Sequence, residues 1–428
     1  MESCPHIVIV GAGFGGLACA RALGGHKARV TIIDRANYHL FVPLLYQVAT
    51  AALSPADIAE PIRKILRRHR NVEVVLGDVT GVDTAGQAVL LADGGRIGYD
   101  RLVLATGSVE NYFGHDDWAA HAPGIKSLSD ARAIRARVLL GFERAERSTD
   151  AAEQAALTTS IIVGGGPTGV EMAGALAELA NWSLPRDFRN VDPRTATILL
   201  VEAGPRLLSG FPDHLAAYAQ RRLERLGVRV LTGKSVSDVT AAGAVIDGKP
   251  VRANAVIWAA GVRASPAAGW LGIGADRSGR IPVERDLAVK GRAHVYAIGD
   301  IAAFPGDDGK PLPALAQVAK QQGAHLGAAL AAQVDKGTPL APFRFRNRGN
   351  TAVIGRSAAV FDFGKRQMKG WFAWILWAII HIVLLVGFEK RLQVSLQWLW
   401  RWLTYQRGAR LILSDADSDA ASRPGGAA

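Results

Sequence analysis

The chain has 428 residues, 49% hydrophobic and 21% charged, with only two cysteines, Cys4 and Cys19. That length calls for two or three domains, and the lack of any CxxC pair excludes a disulfide framework and fits a reducing compartment. The net charge of +12 suits either nucleic acid or a membrane surface, and its distribution favours anionic lipid: between Gly364 and Arg410 eight basic residues stand against Glu389, around the most apolar part of the chain.

In chain order, Met1 leads into a β-branched strand, His6-Ile-Val-Ile-Val10, with no basic segment and no long apolar stretch before it. That is not the pattern of a secretory signal, so synthesis is expected to end in the cytoplasm. The strand opens into Gly11-Ala-Gly-Phe-Gly-Gly16 and an Ala/Leu-rich helix pattern, and the next strand, over residues 29–33, ends at Asp34. Further strands are predicted at 72–76 and 102–105. The same opening then recurs: Ser160-Ile-Ile-Val163 leads into Gly164-Gly-Gly-Pro-Thr-Gly169 and a second helix pattern. An irregular insertion over 181–194 precedes a strand over 197–201 that ends at Glu202, and strands near 228–231 and 255–259 complete a sheet. Each half therefore begins as a βαβ unit. Val295-Tyr-Ala-Ile-Gly-Asp300 reads as a buried strand with an acidic end, followed by a helix over about 314–333 that returns to the first domain.

Residues 371–388 are uncharged and almost wholly apolar, and as one helix they would span about 27 Å, marginal for a bilayer. The next segment places Leu392, Leu396, Leu399 and Leu403 at helical spacing opposite Gln393, Gln397, Arg401 and Thr404, with Trp398, Trp400 and Trp402 crowding the boundary, as in a helix lying at an interface. The small, polar residues from Ser414 on predict disorder.

A GxGxxG turn lets backbone approach a pyrophosphate at a helix N-terminus, and a carboxylate at the end of the next strand accepts ribose hydroxyls. Here two copies occur, each between a strand and a helix, with Asp34 and Glu202 as the acidic residues. The expected nicotinamide set is Gly164, Gly165, Gly166, Pro167, Thr168, Gly169, Glu202 and Gly261. Glu202 repels a 2′-phosphate and so favours NADH, although Arg206 lies close enough to weaken that preference. FAD belongs in the N-terminal cradle, since Ala105-Thr-Gly107 and Gly299-Asp300 supply the closing elements of two-nucleotide flavoproteins.

Hydride transfer then requires a stabilised flavin and an acceptor. The helix near Ala314 is expected to aim its amides at the flavin, and Gln317 and Gln321, four apart on one face, either bond an acceptor carbonyl or are simply polar surface residues. Glu171, just inside the second cradle's helix, is either a proton relay or an ordinary acidic residue near a helix start. His381, inside the apolar stretch, is open between a functional group and a satisfied interfacial histidine. Disulfide reductases and sulfide:quinone oxidoreductases need cysteines that Cys4 and Cys19 cannot provide, and a lipophilic acceptor fits both that lack and the basic apolar tail.

The stretches Asn37-Tyr-His-Leu-Phe-Val-Pro-Leu-Leu-Tyr-Gln-Val-Ala49, Gly164-Gly-Gly-Pro-Thr-Gly-Val-Glu171, Val201-Glu-Ala-Gly-Pro-Arg-Leu207, Ala316-Gln-Val-Ala-Lys-Gln-Gln322 and Gly349-Asn-Thr-Ala-Val-Ile-Gly-Arg356 resemble those of the type II NADH:quinone oxidoreductases, single-subunit, non-pumping enzymes of respiratory membranes. The resemblance spans residues 5 to about 405. It implies that FAD is contacted by Gly11, Ala12, Gly13, Phe14, Gly15, Gly16, Asp34, Thr106, Asp300, Ala316 and Gln317, a set that Arg35 and Gly107 complete. It also implies that Glu171 serves the proton step, that Gln317 and Gln321 sit at the quinone end, and that the C-terminal helices form a monotopic anchor and a homodimer contact.

The expected fold is α/β, with two Rossmann-like dinucleotide-binding domains in a glutathione-reductase-like arrangement and a C-terminal helical membrane region. The expected domains are an FAD domain over 1–118 and 280–345, an NADH domain over 119–279, a membrane region over 346–410 and a tail over 411–428. No metal site is expected. The expected activity is ping-pong oxidation of NADH through FAD with two-electron reduction of a membrane quinone, at the cytoplasmic face of the inner membrane. Its rivals are a soluble NAD(P)H reductase with another acceptor and a nucleotide-sensing flavoprotein.

Overall fold

The computed structural model describes residues 4–307, 309–386, 388–404 and 408–412, so nearly all of the expected disordered tail lies outside the described residues. The chain forms two compact units.

The first gathers residues 1–40, 59–110 and 262–348. Its centre is a five-stranded sheet in the order Val295–Ala297, Arg101–Leu104, His6–Val10, Arg29–Asp34, Val72–Leu76, and every pairing is parallel. Ile7, Val8 and Ile9 are fully buried because both faces of a parallel sheet are covered. His6–Val10 lies where the strand order reverses direction, the place at which such sheets open a crevice at their carboxyl ends. The helix Phe14–Ala22 packs tightly against Ala316–Lys336, since a Cβ on Gly323 or Gly327 would run into the carbonyl of Gly15 or Cys19. The second helix starts two residues later than the sequence predicts and runs on to a left-handed Gly337 cap.

The second unit gathers residues 41–58, 111–261 and 349–428. Its four-stranded sheet, Val228–Thr232, Ile198–Glu202, Ser160–Val163, Ala255–Trp258, is again wholly parallel, and the strand before its glycine turn again occupies the reversal point. Helix Pro167–Glu178 follows the turn and passes into one π-helical stretch, Leu179–Ser183, at the head of the insertion. The antiparallel strands Asn350–Val353, Ala359–Asp362 and Gln367–Gly370 form a meander close to that helix, where Gly174 leaves room for the backbone of Gly355. This meander is absent from the sequence reading because its strands are four residues each and carry no clear alternation.

The C-terminal region corrects one expectation. The apolar run is not one helix over 371–388: Trp371–Leu384 ends when Leu385 turns to extended backbone at ψ 139°, and a second helix, Phe388–Thr404, follows. Fourteen helical residues span about 21 Å, and no helix among the described residues is long and apolar enough to cross a membrane. Apolar side chains are nonetheless exposed along both helices, among them Phe372, Ile379, Val383, Leu392, Leu396, Leu399 and Trp400.

Candidate active site

In the first unit the glycine turn is set by chemistry specific to each position. Gly11 stands at φ +99° with the carbonyl of Ala105 where a Cβ would go, and a Cβ on Gly16 would strike the Gly11 carbonyl. Gly13 caps the helix that begins at Phe14. The Asp34 carboxylate accepts the N–H of Ala12 at 2.6 Å and that of Ala36 at 2.8 Å, so it ties the turn to its own strand end while keeping lone pairs for further donors. Arg35 beside it is exposed. The same unit brings in Thr106, whose hydroxyl meets Ser265 at 2.5 Å, the left-handed Gly107, and Asp300, which accepts from Ser108 at 2.6 Å.

Ala316 is the first residue of the helix that follows. Gln317 and Gln321 use their side-chain oxygens on the backbone N–H groups of Arg348 and Arg346, at 3.0 and 3.1 Å, and Gln321 also donates to the Arg346 carbonyl at 3.0 Å. They fasten the extended chain before the unit boundary to the helix. The sequence reading missed Gln322, which is fully buried and accepts the N–H of Gly299 at 2.7 Å. The available signal was a polar residue on the stripe of Val318, Ala319, Gly323 and Leu326. It also missed His39, buried with its ring N–H on the Ala12 carbonyl at 2.9 Å and its edge against Phe14. Burial lowers the His39 pKa, so the ring is neutral.

The second unit repeats the turn. Gly164 stands at φ +112° against the backbone of Ala259, and Gly169 can carry no Cβ because the Gly164 carbonyl is there. Gly166 caps the helix, Pro167 takes its first position, and Thr168 is exposed. Glu202 accepts from Gly165 and Gly204, both at 2.6 Å. Arg206 turns instead to the carbonyls of Leu208, Ser209 and Phe211. Gly261 joins the unit through its carbonyl, which accepts from Asn111 at 3.1 Å.

Glu171 reaches a pocket of about 130 Å³ that lies wholly within this unit. It is partly open to that pocket, yet enclosed enough that burial pushes its pKa up to about 8, against a weaker opposing bond from the Val353 N–H at 3.3 Å. Tyr46, Gln47, Arg356, Trp377 and Trp398 also line the space. From the sequence Trp398 was read only as a boundary residue of an interfacial helix, and the other four were given no individual role, because residues 41–58 and the C-terminal helices meet helix Pro167–Glu178 only in the folded unit. The Trp398 N–H donates to Gln47 at 3.0 Å, and Gln47 donates to the Tyr46 hydroxyl at 3.0 Å. His381 packs on Trp377 and Phe41, gives its Nδ1–H to the Trp377 carbonyl at 2.8 Å, and has a pKa lowered by burial to about 4. It is therefore a satisfied, neutral histidine at pH 7. No cluster of metal-ligating side chains occurs among the described residues.

Residues 5–323 match the family described as pyridine nucleotide-disulphide oxidoreductase. Two proteins of Mycobacterium tuberculosis are similar over nearly their whole length: type II NADH:quinone oxidoreductase Ndh, 38% identical over 97% of this chain and 92% of that protein, and NdhA, 40% identical over 95% and 89%. The chain belongs to the type II NADH:quinone oxidoreductases. The solved structure of NDH2 from Plasmodium falciparum in complex with NADH shares the fold of this type II chain, with a TM-score of 0.87 over 96% of this chain and all of that one, at 21% identity.

Proposed function

We propose that the protein oxidises NADH through bound FAD and passes two electrons to a quinone, without pumping protons. One observation carries the acceptor half: a carboxyl kept protonated near neutral pH at an aromatic-lined pocket, on the helix of the second cradle. Quinone reduction consumes protons as well as electrons, and a group with a pKa near the working pH is suited to deliver them.

The first cradle fits FAD. Its turn excludes Cβ atoms where a pyrophosphate needs backbone, Asp34 has acceptor capacity for ribose hydroxyls, and Gln322 keeps a buried Nε2 with no partner among the described residues beside Asp300. Gly11, Ala12, Gly13, Phe14, Gly15, Gly16, Asp34, Arg35, Thr106, Gly107, Asp300, Ala316 and Gln317 would hold it, with the helix beginning at Ala316 adding positive potential. When bound, FAD supplies a two-electron carrier between hydride donor and acceptor. The second cradle, from Gly164 to Gly169 with Glu202 and Gly261, orients NADH. Glu202 disfavours a 2′-phosphate, and Arg206, held by three carbonyls, does not offset it.

Glu171 gives its proton to an acceptor oxygen, while Gln317 and Gln321 fix the segment 346–348. The exposed apolar faces of Trp371–Leu384 and Phe388–Thr404, beside exposed Lys365, Arg366 and Lys369, support a peripheral seat on an anionic membrane surface from which a lipophilic quinone enters. Family resemblance adds a homodimer.

Stopped-flow mixing tests this function. NADH should bleach the flavin of the purified holoprotein without oxygen, and a short-chain quinone should then restore its colour at about 10 per second or faster, a usual enzymatic rate. A flavin that NADH reduces but quinone leaves reduced for minutes would identify a sensor or a reductase of another acceptor.

A further inference from the structure

Among the described residues that line the unit-two pocket, Trp377 carries a buried hydrogen-bond donor that the fold holds in place and leaves unanswered. The Trp377 indole is 2% exposed, and its Nε1–H has no acceptor among the described residues. Three donors around it have partners. Trp398 gives its N–H to Gln47, Gln47 gives its amide N–H to Tyr46, and His381 gives its Nδ1–H to the backbone of Trp377 itself. The ring cannot easily turn to find a partner. It stacks on Trp398 with centroids 5.1 Å apart and planes 19° off parallel, and His381 covers it at 4.3 Å. A buried donor without an acceptor is costly, and the cost is recovered when a ligand brings an oxygen to it.

We propose that the Trp377 N–H donates to a carbonyl oxygen of the quinone ring, making Trp377 a recognition residue for the acceptor. The inference rests on the function proposed above and names the group that orients the acceptor in the pocket. An indole N–H is a donor only, so it pairs with an accepting oxygen such as a quinone carbonyl. The aromatic lining takes a flat apolar ring, and a donor fixed by stacking loses little entropy on binding. The two oxygens of a quinone lie on opposite edges of its ring. Trp377 and Glu171 both line the pocket, the first a neutral donor and the second a proton source.

The test removes the N–H and keeps the ring. Trp377→Phe, and Trp377→β-(3-benzothienyl)alanine, in which sulfur replaces the N–H at nearly unchanged shape, are compared with wild-type holoprotein in both half-reactions. Expected is a fall of about 5- to 10-fold in kcat/KM for a short-chain quinone, the size of one neutral hydrogen bond, borne mainly by KM. Flavin bleaching by NADH should stay within about twofold of wild type, because loss of a single ligand contact does not reach that step. If the benzothienyl variant reduces quinone with unchanged kcat/KM, Trp377 is not a donor to the acceptor. If both half-reactions slow equally, its role is structural and the proposal fails. A wild-type flavin that quinone does not reoxidise overturns the functional reading and this inference with it.

Discussion

The two glycine turns are nearly the same object, and the residues laid against them are not. Both begin on a left-handed glycine, both exclude a Cβ five residues on, and both are tied down by the carboxylate at the end of the next strand through a bond of 2.6 Å. Behind the first, helix Phe14–Ala22 is closed off by Ala316–Lys336 through glycine contacts. Behind the second, helix Pro167–Glu178 packs on a short antiparallel meander and keeps two carboxyls, Glu171 and Glu178, at an aromatic pocket. A local motif therefore fixes the kind of ligand held, while the neighbouring layer decides whether the helix is a sealed support or carries a reactive group.

The sharpest way to break that comparison is to damage one turn at a time. Gly164→Ala forces a side chain into left-handed backbone against Ala259, and we expect NADH affinity to fall by about 100-fold or more while flavin content stays normal. Gly11→Ala should instead yield colourless protein. Absorbance at purification and NADH titration separate the two, and equal loss of both cofactors in either variant would mean that the cradles do not act independently.

A smaller effect tests the reactive side. Glu171→Gln should keep FAD and bleach normally with NADH, while quinone reduction slows about 100-fold. The sign of the pH dependence follows from the raised pKa: the proton is present below about 8 and lost above it, so wild-type quinone turnover falls as pH rises through that value, and the variant lacks this limb. In the unfolded chain the same carboxyl ionises at its ordinary pKa of 4.5, so its burial also lowers wild-type stability as pH rises from there to about 8. Chemical denaturation of Glu171→Gln across that range should show a flatter profile.

Glu202→Ala should produce the smallest change. It removes the acceptor of Gly165 and Gly204 together with the carboxylate proposed for the ribose, and should raise KM for NADH about tenfold and narrow the gap to NADPH. Steady-state turnover with each nucleotide would show it, and an unchanged ratio would remove Glu202 from the discrimination.

Much of the site was legible because its signals are local. Gly11 and Gly164 announce themselves by spacing, and Asp34 and Glu202 by their place at strand ends. His381 was left open by the sequence and closed by its bond to the Trp377 carbonyl. Gln317 and Gln321 share a helix face as their spacing requires, yet only the folded chain shows the backbone of Arg346 and Arg348 lying on that face. The apolar run looked long enough for one helix, and no proline or charge within it marks the break at Leu385.

The sequence by itself determined the two parallel-sheet units, the two dinucleotide turns with their carboxylates, and the apolar, basic C-terminal region, because each rests on contacts within a few dozen residues. Tertiary structure alone decided which group is chemically poised. Glu171 acquires its raised pKa, and Trp377 its unanswered N–H, only when residues 41–58, 167–178, 350–356 and the C-terminal helices close around one space. Desolvation is a property of that enclosure, and no spacing along the chain encodes it.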